Sequence, residues 1–594
     1  MRVVRDGEGH PAALGIIRRE SGAEAGYAGP GAALAQESPV HLVGFAPFAY
    51  PARLGANKAA LLANYSDILA ATRTGELVTP AAEWLIDNHY VVEESFRHLK
   101  RDLVPRYYHK LPQVTLDGQG DVPAVLAFAW RYVALGNSDF HTETLTDMAR
   151  GYQEHRVLTI GEIWAIPAML RFVLLENLRR ISDRVNAARA DRVAANTLAD
   201  RLTPGDGADW PFGPDRPISE AFAAQLLYRL RDGSQAADDA LARLEMTLDA
   251  QGTDSAQVLQ HEHARQSAAN VAIGNVIRSM RRLDETNWTT WFEDVSRVDE
   301  ILRETEDFPR LDRATRNDYR DTIERIAHRS DLSESDVALR AIAMAQDQLV
   351  GHLLVGRDAA AFRAACGYRA TWRERGLAQV RRADWLGIFV PALVLTIAIA
   401  WGVTALLPDT LPWIIEALFF VLSLLTVSEA AMGIVNLVGA RLVPVTRLPA
   451  YDYDAGIPDD ARTLVAAPTL IGDLDSVDDA VRLLELHYLA NPDGAVDFAL
   501  VTDWPDSAQE ESSEDRRILD HALTEIDALA ARYAHVGRRF YLLHRNRIWN
   551  DVDRIWMGWE RKRGKLAELN ALLLGTGETT FMDTSPRPPL GIRY

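Results

Sequence analysis

The sequence predicts a multidomain membrane protein: an α-helical N-terminal module, two transmembrane helices, and then an incomplete α/β domain built on a parallel sheet. Three observations predict it. Apolar residues recur with helical spacing between residues 54 and 380, and an uncharged run from Trp385 to Leu407 is long enough to cross a bilayer. Beyond residue 455 the period changes, and short apolar strands alternate with amphipathic helices.

Composition supports a folded chain. Of 594 residues, 48% are hydrophobic and 25% charged, which excludes global disorder. A formal charge of -19 argues against nucleic acid as a partner, because neutralising phosphates demands a basic surface. The single cysteine, Cys366, can make neither an internal disulfide nor a cysteine-based zinc site, so a reducing, cytoplasmic setting fits. Residues 1–39 lack a signal-peptide core and are rich in Gly, Ala and Pro, so a disordered leader is expected there.

Residues 40–383 form the helical module. One helix starts with Thr79 as N-cap and Pro80 at its first position, and aligns Leu85, Val92, Phe96, Leu99 and Leu103 on one face before Pro105. Further helices are expected over about 160–193, 218–231, 254–280 and 333–380. The spacing does not put His89, His98 and one of the carboxylates Asp87, Glu93 and Glu94 together on one helical turn, so no metal site is read here. Glu162 and Trp164 can contact a carbohydrate, yet a Trp on an apolar helix is ordinarily core.

The spans follow at 385–407 and 411–440. Pro391 would kink the first without abolishing it. The second carries Glu416, Glu429 and Asn436; Glu429 is expected either to face a partner helix or to mark a helix end near the interface. Arg373, Arg375, Arg381 and Arg382 precede the pair and Arg441 and Arg447 follow it, so the positive-inside rule puts both soluble portions in the cytoplasm.

Residues 455–594 are the α/β domain. Thr463 to Thr469 reads as a buried strand ended by Pro468, and Val496 to Thr502 as a second strand closing on Asp503. Arg539 to His544 supplies a third. The first connecting helix has Ser476 and Asp479 in capping-box positions, with Val477, Ala480, Val481, Leu484 and Tyr488 inward. The second runs from about Arg516 to Tyr533. Such a sheet binds ligands beyond the C-terminal ends of its strands, where Asp503 can accept hydrogen bonds or simply cap a turn. The run Trp556-Met557-Gly558-Trp559-Glu560-Arg561-Lys562-Arg563-Gly564-Lys565, continuing to Asn570, sets four cations at a helix start. They suit a diphosphate, or form a solvated basic helix end. Trp549, Trp556 and Trp559 can stack on sugar rings or pack.

At these residues the sequence resembles the glycosyltransferase part of cyclic β-1,2-glucan synthases. The likeness is carried by Ala82 to Asn88, Arg106-Tyr107-Tyr108, Leu111-Pro112, Arg462 to Val465, Pro468-Thr469, Glu485, His487 to Gly494, Thr502-Asp503-Trp504, and Trp556 to Asn570. It implies an inner-membrane, multi-pass enzyme with a GT-A-like domain that polymerises glucose from UDP-glucose onto a glucan acceptor, with Asp503, Arg561, Arg563, Lys565 and Asn570 holding the donor. It also implies Mg²⁺ or Mn²⁺ held by an Asp-x-Asp pair. Residues 586–594 resemble the lead-in to that strand and no such pair follows; Met582-Asp583-Thr584 lacks it. The expectation is therefore a truncated portion with no metal ligands and no assigned catalytic residue, inactive alone. Alternatives are a membrane scaffold or nucleotide-binding subunit, or a split transferase completed by a partner chain.

Overall fold

The computed structural model describes residues 26–37, 40–41, 50–76, 78–102, 111–116, 120–202, 210–212, 218–231, 235–346, 348–382, 385–408, 411–442, 447–537, 539–577, 579–583, 586–589 and 591–593. It divides into two compact units: Met1–Pro309 with Asn317–Thr446, and Arg310–Arg316 with Arg447–Tyr594.

The first unit is helical and begins with a correction. Ala28–Glu37 is a helix, not leader, and it packs against the helix Thr142–Gln153. Glycine explains the contact. A Cβ on Gly31 would collide with the Met148 carbonyl, and one on Gly151 with the backbone of Ala28, so the two backbones touch where any side chain would separate them. The rest of the expected leader, residues 1–25 with 38 and 39, lies outside the described residues.

A small antiparallel sheet, β1 (Val40–His41), β2 (Gln113–Leu116) and β3 (Gly120–Pro123), also interrupts the helical module. The helix capped at Thr79 is broken into Pro80–Asp87 and His89–Asp102, because the Asn88 side chain donates to Trp84 O at 2.9 Å and competes with the helical ladder. Leu85, Val92, Phe96 and Leu99 are buried as expected, while Leu103 lies outside the described residues. Ile160–Leu202 runs through the centre and packs against Tyr50–Arg73, Ala124–Leu135, Glu220–Leu230 and Ser255–Glu285. Glu162 is buried, accepting from Arg156 at 2.6 Å, and Trp164 stacks on Phe292 at 4.7 Å. Both serve packing. The single helix expected over 333–380 is four pieces, Glu334–Ala345, Val350–Leu354, Ala359–Ala365 and Trp372–Arg382, with left-handed backbone at the first and third of the three breaks, Gln346 and Gly367.

Two apolar helices close this unit, Leu386–Thr404 and Trp413–Leu442, packed on one another. Small residues meet at the contact: Ala392, Thr396, Ala400 and Ala431 are buried while the larger apolar side chains point outward. Of the two alternatives for Glu429, packing against the first helix is not seen: the residue is exposed, within Trp413–Leu442.

The second unit is the α/β domain. β4 (Thr463–Leu470), β5 (Val496–Asp503) and β6 (Phe540–His544) form a parallel sheet in that order, with Thr463 opposite Val496 and Phe498 opposite Phe540. Side chains alternate across it. Phe498 and Leu500 join Phe540 and Leu542 under the helices Leu474–Ala490 and Asp515–Arg532, whereas Ala499 and Val501 meet Leu569 of Arg561–Leu574 on the other face. Covered on both faces, β5 is buried throughout. Pro468 does not end the first strand, because β4 is an edge strand where a missing N–H is tolerated. The capping box sits one turn earlier than expected, with Asp473 as N-cap and Ser476 at N3. A hairpin of β7 (Ile548–Asn550) and β8 (Ile555–Met557) follows β6.

Candidate functional site

The C-terminal ends of β4, β5 and β6 converge on a buried ionic network. Asp503 ends β5 and is 2% exposed. Arg545 follows β6 and grips it with both arms of its guanidinium: Nε donates to Oδ1 at 2.6 Å and Nη2 to Oδ2 at 3.0 Å. Lys565, one turn into Arg561–Leu574, brings Nζ to 3.1 Å from Asp503 Oδ2 and donates to Thr469 O of β4 at 2.6 Å. Arg545 Nη1 also donates to Glu568 Oε1 at 2.7 Å. Glu568 Oε2 accepts from Thr580 N and Oγ1 at 2.8 and 2.7 Å. Two carboxylates and two cations thus balance in the interior, each hydrogen-bonded, which is the condition under which buried charge is tolerated.

The electrostatics follow from that balance. Burial lowers the Lys565 ammonium below its ordinary value, against the opposing pull of Asp503. Burial also acts to lower the Arg545 guanidinium, but its hydrogen bonds and charge pairs with Asp503 and Glu568 outweigh it and the group stands above its ordinary value. Beneath them His544 is buried, its Nδ1 2.6 Å from Thr502 Oγ1, its Nε2 without a partner and its ring edge-on to Trp504. Desolvation pushes this imidazole down to about 3, so it is neutral at physiological pH.

The same network shapes the turn before the helix. Arg545 donates from Nη1 to Trp559 O and from Nη2 to Arg561 O, both at 3.1 Å. Between those carbonyls Glu560 and Arg561 hold left-handed backbone, φ 43° and 47°, a conformation that persists only where surroundings enforce it. Gly558 fits because it has no side chain: a Cβ there would lie 3.0 Å from both Arg545 Nη2 and Asp503 Cγ. Gly564 likewise leaves room for Trp559. Arg547 fixes the loop after β5, donating to Pro505 O at 2.8 Å and pairing with Asp515, over the face of Trp504.

Of the residues singled out from sequence, the fold joins Asp503 and Lys565. It does not join the others to them. Arg561 is exposed and pairs with Asp506 at 2.6 Å, Arg563 is exposed and pairs with Glu560, and Asn570 is exposed. Trp549 and Trp556 stack edge to face across the β7–β8 hairpin, and the half-exposed Trp559 presents its carbonyl to Arg545. Arg545 and Glu568 were missed. Arg545 stands where a parallel strand ends, the same position that marks Asp503, and Glu568 lies three residues beyond Lys565 on one helical face, so each had a positional signal. Asp478, His521 and Glu525 also cluster on the helices Leu474–Ala490 and Asp515–Arg532, none of them fully buried.

Fold and site together define a mostly helical protein with two long apolar helices and a parallel α/β unit whose strand ends carry a buried charge network. Comparison with known proteins takes this further. The chain is 43% identical over 584 residues, 95% of its length, to cyclic beta-(1,2)-glucan synthase NdvB of Rhizobium meliloti (strain 1021). By sequence it is thus a relative of the N-terminal part of a cyclic β-(1,2)-glucan synthase. The match spans about a fifth of that protein, 21% of its length. No protein-family model matches the chain.

Proposed function

We propose that the chain is the donor-binding portion of a membrane-bound glucosyltransferase that draws glucose from UDP-glucose into a β-1,2-glucan. The observation that carries this reading is the 43% identity to a cyclic glucan synthase along nearly the whole chain. The helices Leu386–Thr404 and Trp413–Leu442 support a membrane setting: they present a continuous apolar surface, and 19 residues at ~1.5 Å each approach the thickness of a hydrocarbon core. Exposed Trp385, Trp401 and Trp413 lie near helix ends, where aromatic residues favour the interface.

In this reading the donor lies across the strand ends, with its diphosphate against Arg561 and Arg563 at the helix start and the N–H groups there. Asp503 is a positioning residue. Both its oxygens are engaged by Arg545 and Lys565, and it fixes the Gly558–Arg561 turn through Arg545. The divalent ion that glycosyltransferases of this kind use would supply charge neutralisation at the leaving diphosphate. The strand-end carboxylates do not fit it, because Asp503 and Glu568 are already saturated by protein donors. No step is assigned to a metal.

Titration of UDP-glucose into the full chain in nonionic detergent tests the reading. Saturable binding is expected, weakened at least tenfold by combined Arg561→Ala and Arg563→Ala and lost in Lys565→Met. Absence of binding by the wild type, or variants that bind equally well, would overturn it. A nucleotide-binding role without transfer is favoured by one observation, the saturation of Asp503 by its partners. Transfer of labelled glucose from bound donor to a β-1,2-glucan separates the two.

A further inference from the structure

The helical unit contains a cavity of about 510 Å³, within the ~300–1,000 Å³ of small-molecule sites, well away in sequence from the α/β network. Its walls are largely apolar and include Trp130, Val133 and Val185. One wall is a single face of the helix Ile160–Leu202, from Val173 to Arg192, which extends roughly 28 Å at 1.5 Å per residue. The cavity is therefore a slot, long for its volume, shaped for an extended chain rather than a ring system.

That face also carries cations, Arg180 with little exposure and Arg184 exposed to solvent. Arg180 and Arg184, one turn apart, both line the slot. Neighbouring arginines have carboxylate partners: Arg179 pairs with Asp183, Arg192 with Glu262, and Arg265 with Glu220. Among the described interactions Arg180 and Arg184 have neither a hydrogen bond nor an ion pair. Arg180 is largely withdrawn from water, and burial lowers its guanidinium below the ordinary value, with Glu176 only partly opposing. The slot does hold one carboxylate, Glu262, but it pairs with Arg192. A largely buried guanidinium with no hydrogen bond or ion pair of its own is an expensive arrangement for stability alone.

We propose that this slot binds a single-chain amphiphilic anion, its phosphate or carboxylate head held by Arg180 and Arg184 and its alkyl body lying along Trp130, Val133 and Val185. Forked guanidinium bonds would satisfy the head, and burial of the chain would supply the apolar contribution. Neither part suffices alone, so the site discriminates against a neutral chain and against a bare anion.

Octyl phosphate is the probe, titrated calorimetrically into the full chain in phosphatidylcholine nanodiscs, with empty discs subtracted. One saturable site is expected, with octanol and inorganic phosphate each binding at least tenfold more weakly. Arg180→Gln with Arg184→Gln should weaken octyl phosphate at least tenfold while leaving the chain folded, because neither arginine holds a structural partner. Ala188→Phe, which fills the slot and keeps both charges, should abolish binding. Displacement by lysophosphatidate, which has one acyl chain, placed in the disc supports the proposal with a membrane lipid as occupant; binding that resists it supports a soluble amphiphile. No binding by the wild type, equal binding of octanol or inorganic phosphate, or unchanged binding in both variants would overturn it.

Discussion

At the scale of single residues the α/β unit depends on Arg545. It is the only cation that reaches Asp503, Glu568 and the carbonyls of Trp559 and Arg561 together among the described residues. Its truncation leaves Asp503 with Lys565 alone and Glu568 with only the Thr580 donors, and breaking such a pair costs about 3–5 kcal/mol. Arg545→Met should accordingly deprotect the backbone amides of residues 555–574 in hydrogen exchange on the full chain, with the helical unit unchanged. Protection equal to wild type would show that the network is dispensable. Gly558→Ala is the milder probe, since its Cβ would meet Arg545 and Asp503 at 3.0 Å. Overpacking of this kind costs roughly 1–3 kcal/mol, so the same amides should lose protection to a smaller degree. These residues also mark what sequence reading can reach. Asp503 and Lys565 were legible from strand-end position and from a basic run, but their mutual contact depends on a third residue, Arg545, brought from a different strand.

At the scale of elements, periodicity located the strands of the parallel sheet to within a residue or two, because each is an uninterrupted apolar run bounded by polar turns. It erred where local hydrogen bonding or backbone handedness overrides period. Asn88 breaks one helix by bonding back to Trp84, and the left-handed Gln346 and Gly367 break another, though neither interruption disturbs the hydrophobic pattern. Composition failed at Ala28–Glu37 for a different reason. Gly31, one of the two glycines that lower its helix propensity, is what admits it to the face of Thr142–Gln153. Gly31→Val or Gly151→Val should therefore release that helix selectively: proteolytic cleavage within residues 28–37 would accelerate at least tenfold, while the helix Ile160–Leu202 keeps its protection. Unchanged cleavage would mean that the close backbone contact does not hold the segment.

At the scale of the whole molecule, the two units carry titrating groups that respond to pH in opposite directions. In the helical unit Glu334 accepts from Ile160 N at 2.7 Å, and burial, reinforced by Glu324 and Glu162, raises it from 4.5 to about 8. A carboxyl raised in the folded state contributes stability that is complete below about 4.5 and lost as pH climbs through about 8. In the α/β unit His544 is lowered from 6.5 to about 3, so its contribution is complete above 6.5 and lost as pH falls towards 3. Each group acts at about 1.4 kcal/mol per pH unit at most, less for Glu334, whose side chain is not fully buried. One melting temperature would blend the two units, so hydrogen exchange resolved by peptide on the full chain is the appropriate measurement. Between pH 5 and 8 protection should fall in the peptides around 160 and 334, and Glu334→Gln, which keeps the acceptor oxygen without the charge, should abolish that slope. Between pH 6.5 and 4.5 protection should fall instead in residues 496–503 and 540–544, and His544→Phe should flatten that slope. Loss in both units at the same end of the range, or slopes that survive the substitutions, would place the titrating groups elsewhere.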